Sequence, residues 1–129
     1  VIIDSNALFI PFQFKIDIYN ELKQLLNRNF ELILISPVKR ELERLATKSS
    51  SKMQKNASLA LKFAEQLSSY FELEASQETT DDLIVKVACE WKAPVFTNDK
   101  LLRKRLRDIN VPVIYMREKS RLEIDGLIS

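Results

Sequence analysis

Val1-Ile2-Ile3-Asp4-Ser5-Asn6, read together with Val95-Phe96-Thr97-Asn98-Asp99, decides the fold. Each stretch is a short apolar run that stops at polar residues and an acid. Continuous apolarity marks a strand buried on both faces, whereas a strand with one wet face alternates. Leu32 to Ile35 is again a continuous apolar run, Phe71 to Leu73 reads as a weaker strand and Val111 to Tyr115 as a further one, and helical spacing fills the gaps between them. Ile18, Leu22, Leu25 and Leu26 lie on one helical face within Asp17 to Asn29. Ser36 and Pro37 read as N-cap and first position of a helix carrying Val38, Leu42 and Leu45. After a serine-rich loop expected over Lys48 to Lys55, a long helix carries Ala60, Phe63, Ala64 and Leu67. Thr79 and Thr80 offer a cap to a helix bearing Leu83, Ile84, Val87, Ala88 and Trp91, and a further helix is expected from Asp99 to Ile109. Strands alternating with helices predict a three-layer α/β sandwich: a central parallel sheet of five strands, helices on both faces and right-handed crossovers. One domain spanning residues 1–129 is expected, and Arg117 to Ser129 shows no clear pattern.

Composition narrows the chemistry. The 129 residues are 46% hydrophobic and 29% charged, the balance of a soluble globular protein, and no run is long enough for a membrane helix. Val1 opens on an apolar run with no basic n-region, so no secretory signal is expected in this stretch, and the lone Cys89 suits a reducing cytoplasm. With no histidine and one cysteine, the chain can build neither a Ser-His-Asp triad nor an ordinary zinc site. What remains is carboxylate, lysine and hydroxyl chemistry, or a hard cation such as Mg²⁺ or Mn²⁺ on oxygen ligands.

Ligands of open parallel sheets collect at the carboxyl ends of the strands. Asp4 and Asp99 follow directly on strands there, with Asn6 and Thr97 placed to orient them. At 100° per residue, Glu41 borders the stripe of Val38, Leu42 and Leu45, and Asp81 borders that of Ile84 and Ala88. Asp82 points away, which ranks it second to Asp81 as a ligand. Gathering carboxylates out of water is costly unless a proton or a cation relieves it, and a divalent metal is the simplest relief. Taken singly, each acid has an equally good structural role as a helix cap or a partner of the helix dipole.

The order of these motifs resembles the PIN domain family of nucleases. Asp4-Ser5-Asn6 resembles its opening motif, Ser36 to Glu41 its second acid, Thr80 to Ala88 its third, and Thr97-Asn98-Asp99 its Thr-Asn-Asp motif. Within the family, Pro11 to Phe14, Thr97 to Arg107 and Arg117 to Gly126 are most similar to archaeal members related to the ribosomal-RNA-processing PIN nucleases. The resemblance implies Asp4, Glu41, Asp81 and Asp99 as metal-binding catalytic acids, Asn6 and Thr97 in support, Mg²⁺ or Mn²⁺ as cofactor, RNA as substrate and a homodimer. It leaves three functional readings open. One is an endoribonuclease, in ribosomal RNA processing or otherwise. Another is a toxin ribonuclease paired with an antitoxin, and the third is an inactive fold serving as an RNA-binding scaffold. A phosphatase or other Mg²⁺ hydrolase is the reading outside the family.

Lys100, Arg103, Lys104 and Arg107 stand at i, i+3, i+4 and i+7, a basic stripe beginning beside Asp99 and a candidate contact for RNA backbone. The alternative is a solvated helix face with cations near its C-terminus. Trp91, Phe63 and Cys89 read as core or interface residues. Phe9, Phe12, Phe14 and Tyr19 cluster in sequence, as a base-stacking or dimer patch.

Overall fold

Residues 1–128 are described by the computed structural model, and Ser129, the end of the unpatterned tail, lies outside the described residues. β1 (Ile2–Ile3) is the shortest possible centre for a sheet, yet it is what the rest is built on. It pairs in parallel with β2 (Leu32–Ile35) on one side and with β4 (Val95–Phe96) on the other. Adjacent strand residues point to opposite faces. Ile2 and Ile3 are both fully buried, as are Val95 and Phe96, so both faces of the sheet are covered. Next to β2 lies β3 (Ser68–Phe71) and next to β4 lies β5 (Val113–Arg117), again parallel.

Between β1 and β2 the chain forms α1 (Ser5–Leu8), α2 (Ile10–Phe14) and α3 (Ile18–Leu26). The β2–β3 connection is a pair of packed helices, α4 (Ser36–Lys48) and α5 (Ser51–Leu67). On the return, α6 (Thr80–Trp91) leads into β4 and α7 (Lys100–Asp108) into β5. Right-handed crossovers put the helices of the two directions on opposite faces. No described helix is long and apolar enough to cross a membrane.

The sheet departs from the expectation of five parallel strands. β6 (Arg121–Asp125) runs antiparallel to β5 and makes the sheet six-stranded and mixed, in the order β3-β2-β1-β4-β5-β6. Only a tight hairpin can join antiparallel neighbours so closely. Its tip, Glu118 and Lys119, takes positive φ at two residues without the Asn or Gly that normally signals such a turn. β3 begins three residues earlier than the expected strand Phe71 to Leu73, because an edge strand tolerates Ser68 and Ser69 on its partly wet faces.

Further differences are local. Ser36 is the first residue of α4 rather than its cap, and its buried hydroxyl accepts instead from the Leu73 N–H at 2.9 Å. The expected loop from Lys48 to Lys55 shrinks to a break at Ser49 and Ser50, since Ser50 Oγ caps α5 by accepting from the Met53 N–H. Neither α1 nor α2 is visible as periodicity, being too short to show it. Of the aromatic cluster, Phe9 is buried, Phe12 meets Phe63 edge-on and Tyr19 packs on Phe30.

Candidate active site

Strand order reverses at β1, and Asp4 leaves β1 at its carboxyl end while Thr97, Asn98 and Asp99 leave β4 beside it. Asp4 is 4% exposed. Its Oδ1 accepts from the Ser5 N–H at 2.8 Å, and its Oδ2 accepts from Thr97 Oγ1 at 2.8 Å and Asn6 Nδ2 at 3.0 Å. Thr97 is fully buried and accepts in turn from the Asp99 N–H at 3.1 Å. Asn6 Oδ1 accepts from the Asn98 N–H at 2.9 Å, and Asn98 Oδ1 from the Met116 N–H at 2.8 Å, so the net reaches β5. Strand ends are thereby cross-linked by side chains where the ladder stops.

The helices bring the other acids. Glu41, in the second turn of α4, accepts from Ser5 Oγ at 3.1 Å. Asp81 lies in the first turn of α6, whose cap is Thr79. Asp99 caps α7, accepting from the Leu101 and Leu102 N–H groups, and both bonds fall on Oδ1. Asp4 likewise caps α1. Capping is therefore an actual role of both acids, and it fixes where their remaining oxygens point.

Electrostatics sort the carboxylates. Burial pushes the Asp4 carboxyl up to about 6 despite the lowering bonds from Thr97 and Ser5, and the charges of Asp81 and Glu41 add to the rise. Asp81 is also raised, first by desolvation and then by Asp99, while Arg105 pulls the other way. Asp82 differs in sign, because its hydrogen bonds from Arg105, at 2.9 Å, and Thr79 hold it below the usual carboxylate range. Asp4 thus feels Asp81 and Glu41, and Asp81 feels Asp99 and Asp82, while Asp82 is held by an arginine.

The donor set suits a hard divalent cation, since it is all carboxylate oxygen and its most buried member is destabilised by like charges. Among the described residues, no three acids are drawn close enough together to enclose an ion, so one held here would keep water in part of its shell, as Mg²⁺ commonly does.

The α7 stripe is divided. Arg103 and Arg107 both pair with Asp125 of β6, at 3.0 and 3.2 Å, and Arg103 also covers the Tyr115 ring. Lys100 and Lys104 are exposed and make no ion pair with the described residues. Ser5 and Arg105 are site neighbours that helix phase and strand-end logic do not single out. Ser5 is noticed only as part of a motif, and Arg105 faces α6 rather than the stripe.

An α/β sheet with an acidic, histidine-free cluster at its switch point defines the class of protein. The chain belongs to the PIN like domain family, whose family model matches residues 1–119. It is 33% identical to Ribonuclease VapC4 of Methanocaldococcus jannaschii, over 99% of this chain and 98% of that protein. Ribonuclease VapC9 of Archaeoglobus fulgidus is 28% identical over 98% of this chain and 89% of its own length. The solved structure of the PIN domain endonuclease Utp24 superposes with a TM-score of 0.83 at 26% identity, over 98% of this chain and 91% of that one.

Proposed function

We propose that this chain is a Mg²⁺- or Mn²⁺-dependent endoribonuclease hydrolysing RNA phosphodiester bonds. Family membership and ribonuclease relatives support a nuclease function in general. The observation that carries the finer reading is the buried Asp4, with its carboxyl pushed up to about 6 beside Asp81 and Glu41 at the switch point. Asp4, Glu41, Asp81 and Asp99 would hold the cation, and Asn6 and Thr97 fix the rotamer of Asp4. Bound there, a divalent cation supplies Lewis-acid charge to the phosphoryl oxygen, acidifies the attacking water and steadies the leaving 3′ oxygen. Thr97 keeps Asp4 and the Asp99 backbone in register across the β1–β4 gap. Glu41, tethered by Ser5, brings its carboxylate to the site from α4. Cleavage of single-stranded RNA with and without a chelator tests the reading.

Thr97→Val removes the hydroxyl at nearly constant volume. It is expected to lower cleavage roughly 10- to 100-fold, as loss of a group orienting a metal ligand does. The free energy of unfolding should also fall, by about 1–3 kcal/mol for buried partners left unpaired. Activity equal to wild type would remove Thr97 from the site.

Lys100, Arg103, Lys104 and Arg107 are proposed as RNA-backbone contacts on the α7 side. Because Arg103 and Arg107 already share Asp125 as an ion-pair partner, Lys100→Ala/Lys104→Ala should weaken RNA binding more than Arg103→Ala/Arg107→Ala. Affinities of the two double variants across a salt series decide the order. A second reading, the toxin ribonuclease implied by the resemblance, predicts a small protein that copurifies with the chain and blocks cleavage, whereas bound pre-ribosomal RNA favours processing.

A further inference from the structure

All three arginines of α7 are committed to carboxylates: Arg103 and Arg107 to Asp125, and Arg105 to Asp82. The opposite flank of the acidic site is different. There α4 places Arg40 and Arg44 at i, i+4 on either side of Glu41 in the sequence, and neither is ion-paired with a described residue. Both are exposed. They line a groove of about 350 Å³ between α4 and the start of α6, with Glu41, Glu78, Thr80 and Leu83 among its other walls. The groove shares Glu41 with the acidic site, and its Thr80 precedes Asp81. It therefore opens onto the acids from the side that α7 does not reach.

We propose that this groove seats a phosphodiester of the RNA strand, held by Arg40 and Arg44, so that the backbone crosses the acids from α7 towards α4. The proposal rests on the ribonuclease reading and names the part of the substrate that reading leaves open. Arginine is the side chain suited to it, since its planar fork of donors matches phosphate oxygens and its charge does not titrate away. A cleft of several hundred cubic ångströms accommodates a nucleotide-sized group. Glu78 is the dissenting wall, a carboxylate lining the same space, which accepts a long hydrogen bond from Ser76 Oγ at 3.5 Å. It opposes a phosphate there and so sets a sign that a purely structural groove would not show.

The experiment measures the affinity of a single-stranded RNA across a salt series with Ca²⁺ replacing Mg²⁺, and cleavage in Mg²⁺ alongside. Arg40→Ala/Arg44→Ala should weaken binding and flatten the plot of log affinity against log salt by up to about 1.4, at about 0.7 per lost single-strand phosphate contact. Arg40→Lys/Arg44→Lys should keep the slope. Glu78→Gln should tighten binding, a gain that a damaged fold does not give. Wild-type affinity and slope in the alanine variant would overturn the proposal, whatever Glu78→Gln does. Loss of binding in the alanine variant of a protein that cleaves no RNA would overturn the ribonuclease reading and leave the groove assignment standing. Wild type that binds no RNA would overturn both.

Discussion

Asp4→Asn is expected to abolish RNA cleavage while making the metal-free protein more stable at neutral pH. The two effects have one cause. Burial and the charges of Asp81 and Glu41 raise the Asp4 carboxyl from 3.8 to about 6, so the folded protein holds its proton to higher pH than the unfolded chain does. Below about pH 4 the carboxyl is protonated in both states and costs nothing. As pH rises from about 4 to about 6 the unfolded chain ionises first, and the fold loses stability until the folded carboxyl ionises too. Above pH 6 the full penalty stands, of the order of 3 kcal/mol at 1.36 kcal/mol per pH unit. Asparagine keeps the shape and the bond from the Ser5 N–H but removes the charge. Thermal unfolding in chelator should show a wild-type midpoint that declines between pH 4 and 7 and a variant midpoint that declines less. Cleavage should fall by more than about 100-fold, beyond the roughly 10- to 100-fold expected for a residue that merely orients a ligand. A variant less stable than wild type at pH 7 would show that the bonds Oδ2 accepts from Thr97 and Asn6 outweigh the penalty of the buried charge.

The adjacent acids of α6 should behave oppositely. Asp81→Asn is expected to cost activity on the scale of Asp4→Asn, and Asp82→Asn to cost little. The Asp81 carboxyl is raised by desolvation and then by the charge of Asp99; Asp82 is bound by Arg105 at 2.9 Å, and its carboxyl is lowered. A raised carboxylate among like charges gains most from a cation, whereas an exposed ion pair contributes little to stability and is screened by salt. Kinetics of the two single variants in Mg²⁺ read the ranking directly. The reverse order would make Asp82 the ligand, with Arg105 released from it when the ion binds.

Much of this was legible because burial writes itself into sequence. Ile2-Ile3, Val95-Phe96 and Val113-Ile114 are continuous apolar pairs because both faces of the inner sheet are covered, and the acids follow because a parallel sheet leaves its carboxyl edge to polar groups. Helix phase gave Asp81 and Asp82 different directions, and the two carboxyls are shifted oppositely, Asp82 through an ion pair with Arg105 that helix phase does not show. β6 carries an alternating Arg-Leu-Glu-Ile-Asp pattern, but five residues of alternation are a faint signal and the turn before them lacks its usual residues. What sequence hid is pairing between distant elements. Arg103 and Arg107 look like free cations until β6 brings Asp125 to them, 22 and 18 residues further on. The tie from Ser5 to Glu41 is likewise a product of the fold, spanning 36 residues.

The central claim is metal-dependent cleavage of RNA by the acids around Asp4. Incubating the wild-type chain with an end-labelled single-stranded RNA in Mg²⁺ or Mn²⁺, then in excess chelator, then with the ion restored, measures it most directly. Internal cleavage that stops on chelation, resumes on restoration and is absent in Asp4→Asn is the expected result. Cleavage undiminished by chelator, or full activity of Asp4→Asn, would contradict it.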